Sequence, residues 1–223
     1  MAGSETRERI LEAAETLFAE QGISGTSLRA LTRAADVNLA AVHYHFGSKE
    51  GLLDSVVARR AGPLNRERLA ELDRLEARSE NGTPGIEDIL AALFTAGTRE
   101  LLAVPETSRR LARLIARIDA QPPEVVEPLY RKHFGELGRR FVEALQRALP
   151  ELPVEVVSDR YRFSVGVLSF LFSGNFDLDV VPGHPAHATH IDERIDHAIV
   201  FLAAGMRAPL AHDPRAHPRV KAS

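Results

Sequence analysis

The 223-residue chain contains no cysteine. Disulfides and thiolate chemistry are therefore excluded, which agrees with a reducing compartment. The sequence also lacks an apolar run of the roughly 18–20 residues that cross a bilayer. Its first residues, MAGSETRER, have no apolar signal-peptide core. We therefore expect a cytoplasmic protein with no membrane partner.

An excess of positive charge is missing as well. The formal net charge is −3, and residues 1–60 hold seven Arg or Lys against eight Asp or Glu. Net charge thus gives no argument for nucleic-acid binding, and any basic patch has to be local. The residues that would have to gather on one face are Arg29, Arg33, Lys49, Arg59 and Arg60.

Known catalytic patterns are not found in the sequence. It has no phosphate-cradling glycine-rich motif, no G-x-S-x-G elbow and no H-E-x-x-H. Three histidines, His184, His187 and His190, could bind zinc or nickel on a helix. Two prolines and a glycine in the same segment favour a solvated loop instead. We expect no enzyme, no cofactor and no metal site.

Strand-like alternation of useful length is absent, so the sequence predicts an all-α fold. Apolar spacing of three and four residues predicts a helix over residues 5–21 and two short helices before residue 47. A further helix starts at Lys49 and reaches about Arg78, with Pro63 breaking or kinking it. After a turn-rich linker over 79–85, helices are predicted over residues 86–104, 106–119, 125–149, 154–176 and 191–207.

The most informative stretch covers residues 25–53, GTSLRALTRAADVNLAAVHYHFGSKEGLL. Thr26 or Ser27 can cap the first short helix. Asp36-Val37-Asn38 then predicts a turn, and a second helix runs from residue 39 to 46. Gly47 is typical of a helix end, and Ser48 of the next helix cap. Two helices joined by so short a turn fit a helix-turn-helix motif.

In such a motif the second helix enters the DNA major groove. Ala40 and Ala41 allow close approach and can touch a thymine methyl group, while Asn38 could pair with adenine or phosphate. Tyr44 and Lys49 suit phosphate contacts. The alternative is a short amphipathic helix of an all-α core with no DNA role. The candidate DNA-binding residues are Thr26, Ser27, Arg29, Asn38, Leu39, Ala40, Ala41, His43, Tyr44, His45 and Lys49.

The run HYHFGSKEGLL, residues 43–53, resembles the signature of the TetR/AcrR family of bacterial transcriptional regulators. In that family the motif ends in aromatic-x-His-Phe-x-Ser-Lys-Glu-x-Leu-Leu. The family usually has Tyr where this chain has His43, with Tyr44 one residue later, so the group that makes the family's phosphate contact stays open. The wording VNLAAV-x-YHFGSK is similar to a subgroup that includes fatty-acid-responsive repressors.

The resemblance implies an N-terminal three-helix DNA-binding domain over residues 1–50. A helical effector-binding and dimerisation domain would follow over residues 51–210, and a disordered tail over 211–223. The expected function is that of a homodimeric repressor, released from a palindromic operator by an apolar effector, with a fatty acid or acyl-coenzyme A as the hypothesis. The alternatives are an activator or architectural DNA-binding protein, or a small-molecule-binding protein without DNA binding.

Two further expectations concern the second half of the chain. Its last two helices are apolar on more than one side, so a partner chain best covers the second side; the alternative is a thicker monomer core. Helices over residues 86–176 can enclose an effector with apolar walls and a few polar groups. The candidate effector-binding residues are Phe94, Leu111, Arg113, Leu114, Arg117, Tyr130, His133, Phe134, Phe163 and Phe170, with Arg162 as a further polar candidate.

Overall fold

The computed structural model describes residues 2–96, 105–172 and 191–210. These residues form helices joined by turns and contain no strand, so the predicted all-α fold is confirmed. The helices are α1 (Ala2–Gln21), α2 (Leu28–Ala35), α3 (Leu39–Phe46), α4 (Lys49–Arg78), α5 (Ile86–Thr95), α6 (Pro105–Asp119), α7 (Pro123–Ala148), α8 (Val154–Phe172) and α9 (Ile191–Met206).

Helix α4 has the predicted bounds, Lys49 and Arg78, but it is not broken at its proline. Pro63 lies inside it and does not end it, because the helix continues from Lys49 to Arg78. Pro63 is exposed, whereas Ala61 and Asn65 on either side of it are buried. Packing of the neighbouring turns therefore outweighs the backbone hydrogen bond that a proline removes.

Two apolar cores hold the helices together. The first contains α1, α2, α3 and the first turns of α4, together with Leu111, Leu114 and Ile118 of α6. The second contains the end of α4 with α5, α7, α8 and α9. Helix α4 thus belongs to both cores. The predicted domain boundary after residue 50 falls inside its first turn, and the domain limits stay a prediction.

Several expectations fall outside the described residues. These are the last residues of the helix predicted over 154–176, the histidine segment and the tail over residues 211–223. The prediction of one helix over residues 86–104 is wrong, because α5 ends at Thr95 and Ala96 has an extended backbone. Within the described residues, no group of three His, Cys, Asp or Glu side chains could hold a metal ion. No described helix is long and apolar enough to cross a membrane.

Candidate DNA-binding and effector sites

The turn between α2 and α3 is held by local caps and by α1. Ser27 caps α2, because its Oγ accepts a hydrogen bond from Ala30 N at 3.1 Å. The helix ends at Asp36, which has a left-handed φ of 50°. Arg9 of α1 donates to Ala35 O at 2.7 Å and to Asp36 O. These bonds satisfy carbonyl groups that a helix end leaves without partners.

The orientation of α3 follows from its two ends. Asn38 caps its start, with Oδ1 accepting from Ala41 N at 2.8 Å. Gly47 closes its end with a φ of 71°, which favours glycine. A Cβ on Gly51 of α4 would lie 2.2 Å from Phe46 O, so only glycine permits this close approach of α4 to α3.

One side of α3 faces the core and the other faces solvent. Val42 and Phe46 are buried, whereas Tyr44 is 86% exposed and Leu39 is 47% exposed. Residues 39, 40, 43 and 44 share the exposed side of the helix, and Ala41 and His45 lie at its margin. The predicted α3 candidates therefore form one continuous surface.

Five other predicted DNA-binding residues surround α3, and several have structural contacts. Thr26 is buried and donates from Oγ1 to Gly22 O at 2.8 Å. The side chains of Ser27 and Asn38 act as helix caps. The Lys49 ammonium lies 3.5 Å from Ser24 O, and Arg29 is exposed. On α3 itself, the ring Nδ1 of His43 lies 2.9 Å from Gly47 O.

Two of the five cations that a local basic patch would need are paired with acids of α1. Arg59 lies 3.4 Å from Glu8, and Arg60 forms two hydrogen bonds with Glu15. Both partners belong to α1, so these cations are neutralised inside the fold. Arg29, Arg33 and Lys49 add positive charge near α2 and α3 and form no ion pair with a described carboxylate within 4.0 Å. A backbone hydrogen bond is the main cause that lowers the pKa of Glu50, and the charge of Lys49 contributes to this shift.

A cavity of about 630 Å³ lies between α4, α5, α6, α7 and α8. Its walls are mostly apolar, and its volume lies in the range of small-molecule sites. Four predicted effector-binding residues line it, namely Leu111, Leu114, Tyr130 and Phe134, and so does Arg162. Arg162 and Asp119 are exposed lining residues and mark the side on which the cavity meets solvent.

The three other predicted phenylalanines do not line the cavity. Phe94 is fully buried in the second core. Phe163 and Phe170 of α8 are 67% and 50% exposed. An apolar residue on a helix packs in a core, a cavity or an interface with equal ease, so residue type alone could not separate these cases.

The three other predicted polar residues are also placed away from the cavity. Arg113 is exposed and donates to Glu106 at 3.0 Å. Arg117 donates to the carbonyl oxygen of Glu20 at the end of α1, at 3.4 Å. His133 lies 2.9 Å from Asp54. Each of these three side chains contacts another protein group and is not among the residues that line the cavity.

Six polar residues that the sequence-based prediction missed line the cavity, namely Arg60, Asn65, Arg68, Asp119, Tyr161 and Ser169. Arg68 is 7% exposed, and its burial lowers the pKa of the guanidinium to about 10. A signal was present in the sequence, because Arg68 interrupts an apolar stripe at three- and four-residue spacing. That stripe consists of Val57, Ala61, Leu64 and Leu72, besides Arg68 itself.

Helices α8 and α9 expose apolar side chains. Phe201 and Val200 of α9 are 72% and 68% exposed, and Phe163 of α8 is 67% exposed. The opposite side of each helix packs in the second core, through residues such as Leu168 and Leu202. Both helices thus have the second apolar side that the sequence predicted.

Comparison with known proteins agrees with this arrangement. The family model described as "Bacterial regulatory proteins, tetR family" matches residues 10–56. The model described as "Tetracyclin repressor-like, C-terminal domain" matches residues 91–205, just over half of the chain. The second match includes helices that contribute walls to the cavity and the exposed apolar residues of α8 and α9.

Curated relatives match parts of the chain. The probable regulator YttP of Bacillus subtilis (strain 168) is 43% identical over 53 residues, 24% of this chain and 26% of YttP. The regulator BetI of Rhizobium meliloti (strain 1021) is 29% identical over 124 residues, 50% of this chain and 59% of BetI. The chain thus spans between about a quarter and three fifths of the length of these two relatives.

Solved structures share the fold over nearly the whole chain. The fatty acid degradation regulator FadR from Bacillus halodurans superposes with a TM-score of 0.63 at 16% identity, covering 92% of this chain and 97% of FadR. HlyIIR, a hemolysin II transcriptional regulator, gives a TM-score of 0.61 at 20% identity, covering 90% and 98%. Since the C-terminal model alone matches over half of the sequence, this chain belongs to the TetR family of bacterial regulatory proteins.

Proposed function

We propose that the protein is a homodimeric repressor that binds a palindromic operator through α3 and leaves it when an apolar effector occupies the cavity. The observation that carries the proposal is that helices α4 and α6 form walls of the cavity and also pack in the core of α1 to α3. An effector that moves these helices would therefore also act on the DNA-binding helices.

The surface of α3 suits base contact. Ala40 and Leu39 are small or apolar groups at the exposed start of the helix, where a recognition helix reads base edges. Tyr44 and Lys49 supply donors for phosphate oxygens. Arg29 and Arg33 add positive charge on the adjoining α2, so the charge is locally positive there although the whole chain is acidic.

Two arginine side chains, Arg60 and Arg117, connect the cavity region with α1. Arg60 lines the cavity and binds Glu15. Arg117, from α6, donates to Glu20 O, and its side chain lies 3.7 Å from the position of a Cβ on Gly22. A ligand that binds one arrangement of these contacts better than the other shifts the affinity for DNA. A coupling free energy of about 1–3 kcal/mol corresponds to a change in DNA affinity of about 5–150-fold.

The exposed apolar side chains of α8 and α9 support a dimer. Burial of Phe163, Val200 and Phe201 against a second copy would remove three exposed apolar side chains from water. Two-fold symmetry would then present two α3 helices about 34 Å apart, the spacing of successive major grooves. A palindromic operator is the DNA that such a dimer reads.

The effector hypothesis is a long-chain fatty acid or its coenzyme A ester. Its support is the mostly apolar wall of the cavity together with a buried arginine. The hypothesis fails if fatty acids, acyl-coenzyme A and free coenzyme A all leave the melting temperature unchanged.

The experiment that tests the proposed function is selection of bound sequences from a random double-stranded DNA pool, at about 150 mM salt. We expect a palindrome whose half-sites lie about one helical turn apart. A variant with Ala40→Glu, which places a negative charge on the exposed side of α3, serves as the control and should recover no such site. Recovery of nothing above background by the wild-type protein would contradict the proposal.

A further inference from the structure

Arg68 is a buried cation in the wall of the cavity. Only 7% of the residue is exposed, and its Nε has no hydrogen-bond partner. No described carboxylate forms an ion pair with it, and Tyr161 is the titratable group that acts on it electrostatically. A buried charge without a counter-charge destabilises a protein unless something else neutralises it.

The other charged residues of the cavity wall are already compensated. Arg60 forms two hydrogen bonds with Glu15. Arg162 is exposed and donates to Asp159 at 2.6 Å. Asp119 accepts a hydrogen bond from Tyr130. Among the described lining residues, Arg68 therefore supplies the positive charge that has no protein counterpart.

Two further polar groups belong to the same part of the cavity. Asn65 precedes Arg68 by three residues on α4, so the two side chains are neighbours on the helix surface. Its Nδ2 donates to His133 O at 2.8 Å, while its Oδ1 has no partner. Burial raises the pKa of Tyr161 to about 12, although the nearby Arg68 lowers it. The Tyr161 hydroxyl is therefore protonated at neutral pH and can donate a hydrogen bond.

We infer that the cavity binds a molecule with one carboxylate and an apolar body, and that Arg68 pairs with the carboxylate while Tyr161 donates to it. The apolar body would contact walls such as Leu93, Leu114 and Leu137. This inference rests on the proposed effector role of the cavity and narrows the class of ligand. It favours a free fatty acid over a coenzyme A ester, because several phosphate charges would require more unpaired cations than Arg68.

The test compares three probes on the full-length protein by titration calorimetry at about pH 7.5, where a carboxylic acid is ionised. Dodecanoate carries the carboxylate and the tail, dodecan-1-ol carries the same tail with an uncharged hydroxyl, and acetate carries the carboxylate alone. We expect dodecanoate to bind at least about tenfold more tightly than dodecan-1-ol, the range of a hydrogen bond to a charged group. Acetate should not bind measurably.

Variants assign the preference to Arg68. Arg68→Met should bring the two dodecyl probes to within about twofold of each other, and Arg68→Lys should retain part of the preference. Arg162→Met makes the same change at an exposed arginine of the wall and should keep the preference for dodecanoate over dodecan-1-ol. Arg68→Met should also raise the melting temperature of the ligand-free protein, because it removes an unpaired buried charge. If Arg68→Met does not fold, Arg68→Gln takes its place.

The inference is overturned if the wild-type protein binds neither dodecyl probe, binds both equally, or binds acetate as tightly as dodecanoate. It is also overturned if the preference for dodecanoate survives Arg68→Met, or if Arg162→Met removes that preference as fully as Arg68→Met does. Operator selection needs no ligand and the calorimetry needs no DNA. Failure of the carboxylate inference is therefore distinguishable from failure of the proposed repressor function.

Discussion

Arg60 of α4 and Glu15 of α1 are joined by two hydrogen bonds of 2.7 Å each. The Glu15 side chain is almost completely buried, whereas the Arg60 side chain keeps 30% of its exposure. Arg60 also lines the cavity. The pair thus connects the wall of the candidate effector site to the helix on which α2 and α3 pack. Two parallel hydrogen bonds also fix the orientation of the guanidinium against the carboxylate.

Removal of Arg60 should be costly because it leaves a buried carboxylate without a partner. We expect Arg60→Met to lower the free energy of unfolding by about 3 kcal/mol in urea denaturation. The double variant Glu15→Leu/Arg60→Met should recover most of this loss, since no charge remains buried. Arg59→Met, which breaks the more exposed pair with Glu8, is the control and should cost at most about 1 kcal/mol. Equal losses for the two single variants would contradict the expectation.

Asn38 has two roles that can be separated, one as the cap of α3 and one as a predicted DNA contact. Asn38→Ala should lower the free energy of unfolding by about 1 kcal/mol, because Ala41 N loses its acceptor. Asn38→Ser keeps an acceptor and should retain most of that stability. Both variants should bind the operator more weakly, since both lack the side-chain amide. If Asn38→Ser bound the operator with wild-type affinity, Asn38 would act only as the helix cap and not as a DNA contact.

Tyr44 and Ala40 should affect DNA binding in different ways. Tyr44 is 86% exposed, so Tyr44→Phe should leave the melting temperature unchanged. It should weaken binding to operator and random DNA alike, by about 0.5–1.5 kcal/mol, because it removes a phosphate donor. Ala40→Leu should instead change the preferred sequence in a repeated selection. A Tyr44→Phe loss confined to the operator would indicate a base contact in place of the phosphate contact.

Phe201 tests the proposed dimer face. Because the residue is 72% exposed in the single chain, Phe201→Lys should not disrupt the core. It should shift the protein toward monomer in sedimentation equilibrium and weaken operator binding through loss of the second α3 helix. Val125→Lys replaces an exposed apolar residue of α7 and should leave the assembly unchanged. A wild-type protein that is monomeric at micromolar concentration contradicts the proposal directly.

The contacts of Asp54 should make the free energy of unfolding depend on pH in the acid range. Partial burial opposes its ionisation, but hydrogen bonds from Lys132 and His133 at 2.8 and 2.9 Å outweigh this, so the pKa of Asp54 lies below its usual value. A lowered native-state pKa stabilises the fold above the unfolded-state value of about 3.9. That stabilisation is lost as the pH falls through the lower native-state pKa.

We therefore expect Asp54→Asn to cost about 0.5–1 kcal/mol at pH 7, the range for a partly exposed pair. The difference from wild type should shrink as the pH falls into the acid range, because wild type then loses its ionised Asp54. Urea denaturation at a series of pH values measures this. Glu67→Gln, an exposed change on the same helix without a described ion pair, should track wild type throughout.

The helices near the N-terminus could be predicted almost to the residue because their signals are local. Ser27, Gly47 and Ser48 act within one turn of their own positions, so the sequence there defines the helix ends. The motif over residues 43–53 also indicated the protein family. The effector site was predicted less well, and only four of its ten candidate residues line the cavity.

The local sequence determined the all-α class, the helix-turn-helix and the exposed side of α3, because helical period and capping depend on residues three or four positions apart. Tertiary structure decided which apolar residues face the cavity and which cations keep a free charge. Arg60 and Arg68 lie eight residues apart on one helix, yet Glu15 neutralises one and no described acid neutralises the other. That difference depends on where distant helices pack, because burial and ion pairing are set by neighbours far away in the sequence.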